Sequence, residues 1–134
     1  MLVLDNNLLS DYLDGKSDAR RFLQQYEREA WAVSAIVLYE AYMGSLHGYL
    51  DGSPETIRQA VTAGMDVLEV TDATATEAAT LQEDLLSRGS PVDHPDALVA
   101  AAAREHGGTF ATAEKQFWTD EVRAVLSVAA YDPY

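Results

Sequence analysis

The sequence predicts an α/β fold of three layers, α/β/α, around a central parallel sheet of about five strands. Short apolar runs alternate along the whole chain with segments of helical periodicity. Serine, threonine, proline and glycine stand where those helices have to start and stop. A length of 134 residues and a hydrophobic content of 48% suit one domain, residues 1–134, with a buried core.

Leu2–Leu4 is an apolar run ending in Asp5, which predicts a buried first strand. Asn6 to Leu13 reads as a helix stopped by Asp14-Gly15, and Ser17 is placed to cap a second helix through about Glu29. Trp31–Val33 predicts the second strand, after which Ser34 caps a helix from Ala35 to about His47. Gly48 to Gly52 is a break. Ser53-Pro54-Glu55 joins a capping serine, a proline at the first helical position and an acid, opening a helix that ends near Gly64. Met65–Val70 is the third strand. Thr74 and Glu77 have capping-box spacing and predict a helix ending at Arg88-Gly89. A turn from Pro91 to Pro95 feeds the most helical segment, Ala97–Glu105, which Gly107-Gly108 stops. Thr109–Ala111 is the fourth strand, Phe117 to Val122 is short and irregular or helical, and Ala124–Ala129 is the fifth strand. The closing Tyr131-Asp132-Pro133-Tyr134 carries no signal.

Composition narrows the function. No apolar run approaches the roughly 18 residues of a membrane span. No basic leader or cleavage site precedes the first strand, so the chain reads as cytoplasmic. There is no cysteine, which excludes disulfides and thiolate metal sites. The net charge is −13, from 22 acidic and 9 basic residues, and only Lys16 and Lys115 are lysines. Binders of nucleic acid are usually basic, because neutralising phosphate drives affinity. An acid-rich, lysine-poor surface fits a saline cytoplasm, where a Debye length near 3 Å removes long-range repulsion. A halophilic source is therefore expected.

Four carboxylates stand where chemistry is expected. Asp5 leaves the carboxyl end of the first strand, the side on which such sheets bind ligands; it could equally cap the helix that follows, and Asn7 could support it. Glu40 lies on an apolar helix face near Ile36, Val37, Met43 and Gly44, a costly place for a carboxylate without a partner. His47, near the same face, could pair with it. Asp96 occupies the first turn of its helix, with Asp93 as the N-cap and His94 as a possible base or substrate contact. Glu114 follows the fourth strand, where the Thr112 hydroxyl can fix a carboxylate. Clustered carboxylates repel one another unless cations hold them, and an all-oxygen set favours Mg²⁺ or Mn²⁺ over Zn²⁺. Such ions serve phosphodiester hydrolysis. No phosphate-binding glycine loop, dinucleotide fingerprint or nucleophile elbow is present.

Together these pieces resemble the PIN-domain ribonucleases, in particular the VapC-type toxins of toxin–antitoxin pairs. The resemblance rests on Leu4-Asp5-Asn6-Asn7, on Ser34 through Glu40 with Gly44, on Asp96 through Ala102, and on Phe110 through Glu114 with Phe117. It implies that Asp5, Glu40 and Asp96 are the core metal-binding acids. Glu114 takes a fourth acidic position that is more often aspartate or asparagine, and Asn6 replaces a usual threonine or serine. The family implies Mg²⁺-dependent cleavage of RNA, a homodimer, and a small antitoxin whose tail blocks the acidic groove. Arg20, Arg21 and Arg104 are candidate phosphate contacts. A non-catalytic PIN-like module binding RNA or protein is the alternative. A phosphoacceptor domain is a further rival, for which Asp72, after the third strand, is the only candidate acceptor.

Overall fold

The computed structural model describes residues 1–133. Five strands form one sheet: β1 (Leu2–Leu4), β2 (Trp31–Ser34), β3 (Asp66–Leu68), β4 (Thr109–Thr112) and β5 (Val128–Ala130). Their order is β3-β2-β1-β4-β5 and every pairing is parallel, with Val3 opposite Ala32 on one side and Phe110 on the other. Among the described residues seven α-helices flank the sheet in the three-layer arrangement: α1 (Asn6–Leu13), α2 (Ser17–Gln24), α3 (Ala35–Leu46), α4 (Pro54–Thr62), α5 (Asp72–Ser87), α6 (His94–Glu105) and α7 (Asp120–Arg123).

The central strand explains the topology. Leu2, Val3 and Leu4 are fully buried, as expected of a parallel strand covered on both faces. From β1 the chain builds outward through β2 to β3, then returns to lay β4 on the other side of β1. Strand order therefore reverses between β1 and β4, and this switch point opens a crevice at the carboxyl ends of those strands. α6 packs on β1 and β4, while α5 runs along α6, and α1 joins α2 and α3. The run Val99–Ala103 on α6 is buried, since its small side chains let the helix approach the sheet closely.

Several boundaries differ from the sequence reading, each for a local reason. Lys16, not Ser17, is the N-cap of α2, without a side-chain cap; its ammonium instead meets Asp11 at 3.1 Å. α2 stops at Gln24 rather than near Glu29, because the N–H groups of Gln25, Tyr26 and Glu27 turn to the carbonyls three residues back, and the Tyr26 carbonyl accepts the Trp31 indole N–H (2.9 Å). The capping box of α5 is Thr71 with Thr74, one turn before the predicted pair, and Glu77 is drawn to Arg104 at 2.6 Å. β3 is confined to Asp66–Leu68. β5 begins at Val128, because Thr119 caps α7 and residues 124–126 complete its last turn. α6 starts at His94, ahead of Ala97.

The chain end is not silent either. Tyr131 is buried, donates its hydroxyl to Asp11 Oδ2 (2.7 Å) and sets its ring against Phe22 at 5.3 Å, tying the end of β5 to α1 and α2. Tyr134 of the predicted uninformative tail lies outside the described residues. No helix of the described residues is long and apolar enough to cross a membrane.

Candidate active site

The crevice at the switch point is where the predicted acids converge. Asp5 is the N-cap of α1 and the last residue before the sheet ends, pinned by its own N–H to the Ala111 carbonyl (2.9 Å). Its Oδ1 accepts from the Asn6 main-chain N–H (2.8 Å) and its Oδ2 from the Thr112 hydroxyl (2.7 Å). It caps the helix, and it stands at the carboxyl end of β1. Thr112 is completely buried, and its oxygen also accepts the Glu114 N–H at 3.0 Å. One hydroxyl thus orients the acid after β1 and the backbone of the acid after β4.

Charge and burial oppose each other here. Burial raises the Asp5 carboxyl above its usual range; the Thr112 and Asn6 contacts pull it down, and Asp96 pushes it up again. Glu40, in the second turn of α3, is raised first by desolvation and then by Asp5, Asp96 and Glu114. Glu114 is likewise raised by desolvation, lowered by Gln116, and raised by Asp5, Asp96 and Asp93. Asp5, Glu40 and Glu114 are thus each raised in part by the nearby charge of Asp96. Among the described residues no lysine or arginine forms an ion pair with any of them.

The sequence matches the PIN-domain family over residues 2–119. The chain belongs to that family. No curated protein matches it significantly. Among solved structures, this PIN domain is similar to a chain of a toxin–antitoxin complex from Klebsiella pneumoniae, with 19% identity, TM-score 0.76, and 100% of this chain and 98% of that one covered. It is similar to a chain of FitAB bound to a DNA fragment, with 23% identity, TM-score 0.75, and 97% and 94% covered. It is also similar to a chain of VapBC2 from Rickettsia felis bound to a promoter DNA fragment, with 17% identity, TM-score 0.73, and 98% of each covered. At these identities the likeness establishes the fold.

A metal fits this PIN domain's crevice in kind. Carboxylates that repel one another and lack cationic partners make a hard-oxygen donor set suited to Mg²⁺ or Mn²⁺. In spacing it does not yet fit, since among the described residues no three histidine, aspartate or glutamate side chains are arranged to hold an ion as they stand. Gln116, which the sequence reading overlooked, touches two of the four acids. Its Nε2 donates to Asp96 Oδ2 (3.0 Å) and to Glu114 Oε2 (2.7 Å), standing between the two. Gln116 belongs to a 3-10 turn, Lys115–Phe117, held by the buried Phe117 ring against Phe110 (5.1 Å). The Trp118 indole N–H, donated to the Thr112 carbonyl (3.0 Å), closes the same loop. A polar side chain two residues beyond an acid was the one available signal.

Other predicted residues are placed differently. Asn7 is exposed, and the contact to Asp5 comes from the neighbouring Asn6 backbone. His47 is the C-cap of α3 and its ring lies 6.0 Å from that of Tyr49, with no bond to Glu40. Asp93 is an N-cap by position only, without a side-chain bond, although its charge reaches Glu114. His94 is exposed in the first turn of α6 and lines a shallow groove with Ala78, Gln82 and Leu98. Arg104 is unsuited to phosphate, since it pairs with Glu77 (2.6 Å) and Asp84 (3.1 Å). Arg21 pairs with Asp18 on its own helix. Asp72 stands exposed beyond β3, an edge strand, which removes the middle-strand position a phosphoacceptor needs.

A cleft of about 450 Å³ runs from Glu40 between α1 and α3, lined by Asn6, Ser10, Asp14, Tyr39, Met43 and His47. Tyr39 and Tyr49 are 60% and 80% exposed along it, large aromatic surfaces left open to solvent.

Proposed function

We propose that this PIN domain is a Mg²⁺- or Mn²⁺-dependent endoribonuclease, the toxin of a toxin–antitoxin pair. The observation that carries the reading is the convergence of Asp5, Glu40, Asp96 and Glu114 at the β1–β4 switch point with no protein cation among them. These four would hold the ion. When bound, the ion activates water and stabilises the charge of the leaving oxygen in phosphodiester hydrolysis. Thr112 orients the Asp5 carboxylate and the Glu114 backbone. Glu114 would hold a second ion or orient the attacking water. The cleft below Glu40 would take single-stranded RNA bases on Tyr39 and Tyr49, because stacking tolerates an acidic wall that phosphates do not.

The toxin assignment is supported by the complexes named above, whose chains share this fold. We assign a small antitoxin as partner, a homodimer as the assembled form and the cytoplasm as the location; sedimentation of the purified chain with and without the co-expressed antitoxin tests the first two. A non-catalytic binding module remains the second reading, favoured by the present lack of a closed ligand set.

The deciding experiment is cleavage of a mixed RNA pool in high salt with Mg²⁺ or Mn²⁺, beside EDTA, Asp5→Asn and Asp96→Asn. Metal-dependent cleavage that falls by roughly 100-fold or more in both variants is expected from loss of groups acting on the reacting charge. Folded protein free of partner that cleaves none of several RNAs would move the assignment to the binding module.

A further inference from the structure

Gln116 is exposed and has no catalytic chemistry of its own, yet its amide nitrogen is the one hydrogen-bond donor shared by two of the four acids. Ionised carboxylates only accept, so the partial positive charge of a primary amide is what they can use. The two acids reach it from separate elements, Asp96 from the first turn of α6 and Glu114 from the loop after β4. Mg²⁺ needs oxygens at about 2.0–2.1 Å in near-octahedral geometry. The contacts to Nε2, at 3.0 and 2.7 Å, are longer, and this one amide nitrogen engages an oxygen of each carboxylate.

We propose that Gln116 is an internal counter-pole that bridges Asp96 and Glu114 in the metal-free protein and competes with the divalent cation for them. This rests on the metal-binding reading of the crevice. The backbone of the turn is fixed by Phe117 and Trp118, so the exposed side chain alone can swing out while the loop stays in place. Metal loading then exchanges one neutral donor for one ion, and the strength of the amide contacts sets the cation concentration at which the site closes. Gln116 acts through Asp96 and Glu114 and is a positioning residue.

Calorimetric titration of Mn²⁺ into the metal-free full chain tests this, with Gln116→Ala and Gln116→Lys beside the wild type and thermal melts as a check on folding. Loss of a partly solvated amide contact to charged groups predicts an apparent Kd lower by about fivefold in Gln116→Ala. Gln116→Lys fixes a permanent cation between the acids; it should abolish Mn²⁺ binding and raise the melting temperature in EDTA. Wild-type binding with unchanged or weaker affinity in Gln116→Ala overturns the proposal alone, as does wild-type-like binding by Gln116→Lys. If neither the wild type nor Gln116→Ala binds Mn²⁺, the proposal falls together with the metal reading of the site.

Discussion

Replacing Thr112 with valine removes one oxygen from the interior and changes side-chain volume little, so the effect isolates hydrogen bonding. The hydroxyl is fully buried, donates to Asp5 Oδ2 at 2.7 Å and accepts the Glu114 N–H at 3.0 Å. A hydrogen bond to a charged group is worth about 1.5–3 kcal/mol, and Asp5 is too enclosed for water to replace it fully. The Glu114 N–H, nearer the surface, recovers most of its bond from solvent. Valine suits a strand and adds apolar burial, offsetting about 0.5–1 kcal/mol. The net loss is about 1.5 kcal/mol, or about 5–8 °C in melting temperature for a chain of this length. The contact favours ionised Asp5, whose carboxyl is already raised by burial, so the penalty grows as pH rises through its titration and shrinks where it is protonated. Paired melts in EDTA at pH 4 and pH 8 should show the larger difference at pH 8, and Thr112→Ser should recover most of the loss. A valine variant within 2 °C of wild type at pH 8, or an equal penalty at both pH values, would refute the reasoning.

The other acids give a pH signature for the whole crevice. Asp5, Glu40 and Glu114 all titrate above their ordinary values in the folded state, so folded protein binds protons more tightly than unfolded. Their contribution to stability is greatest below the unfolded pKa values and is lost as pH rises through the folded ones. Melting temperature in EDTA should therefore fall from about pH 5 to pH 8, less steeply in Glu40→Gln, with Mg²⁺ restoring it at neutral pH; a flat profile identical in that variant counts against mutual repulsion. Tyr131→Phe deletes the hydroxyl donated to buried Asp11 and should lower stability by about 1–2 kcal/mol without altering cleavage, and a melting temperature within 1 °C of wild type contradicts that role. Tyr39→Ala with Tyr49→Ala should weaken binding of a single-stranded oligonucleotide at least about tenfold, from about 1–3 kcal/mol of stacking per base. An unchanged Kd removes the cleft as an RNA path.

Much of the fold could be read from local chemistry. Ser34 and Ser53 cap the helices that they were expected to cap, because a hydroxyl just before an apolar helical run has one good use. The position of Asp5 was legible since an acid straight after a buried apolar run has to leave the sheet at its carboxyl end. What escaped depended on partners distant in sequence. Glu77 looked like a capping residue until Arg104, on another helix, competed for it. Tyr131 looked like tail because Asp11, its partner, lies at the other end of the chain. The helical continuation past Gln24 was plausible locally but gave way to tighter turns, with the Tyr26 carbonyl also taking the indole of Trp31 from the next strand. Within the site the acid types and Thr112 were readable from spacing. Gln116 was not, as its importance comes from two carboxylates converging on it in space.

Asp5 has both oxygens engaged before any ligand arrives, one by a main-chain N–H and one by a buried hydroxyl. Its rotamer is therefore settled by folding, and the lone pairs left over point in directions the protein has already chosen. A flexible surface aspartate would have to surrender side-chain freedom on binding; this one surrenders almost none. Glu40, exposed on its helix, keeps that freedom. The crevice thus combines a rigid anchor with a mobile arm. On the proposed metal reading, such a pairing would fix where a cation sits while leaving one ligand free to come and go, separating position from exchange rate in the same small site.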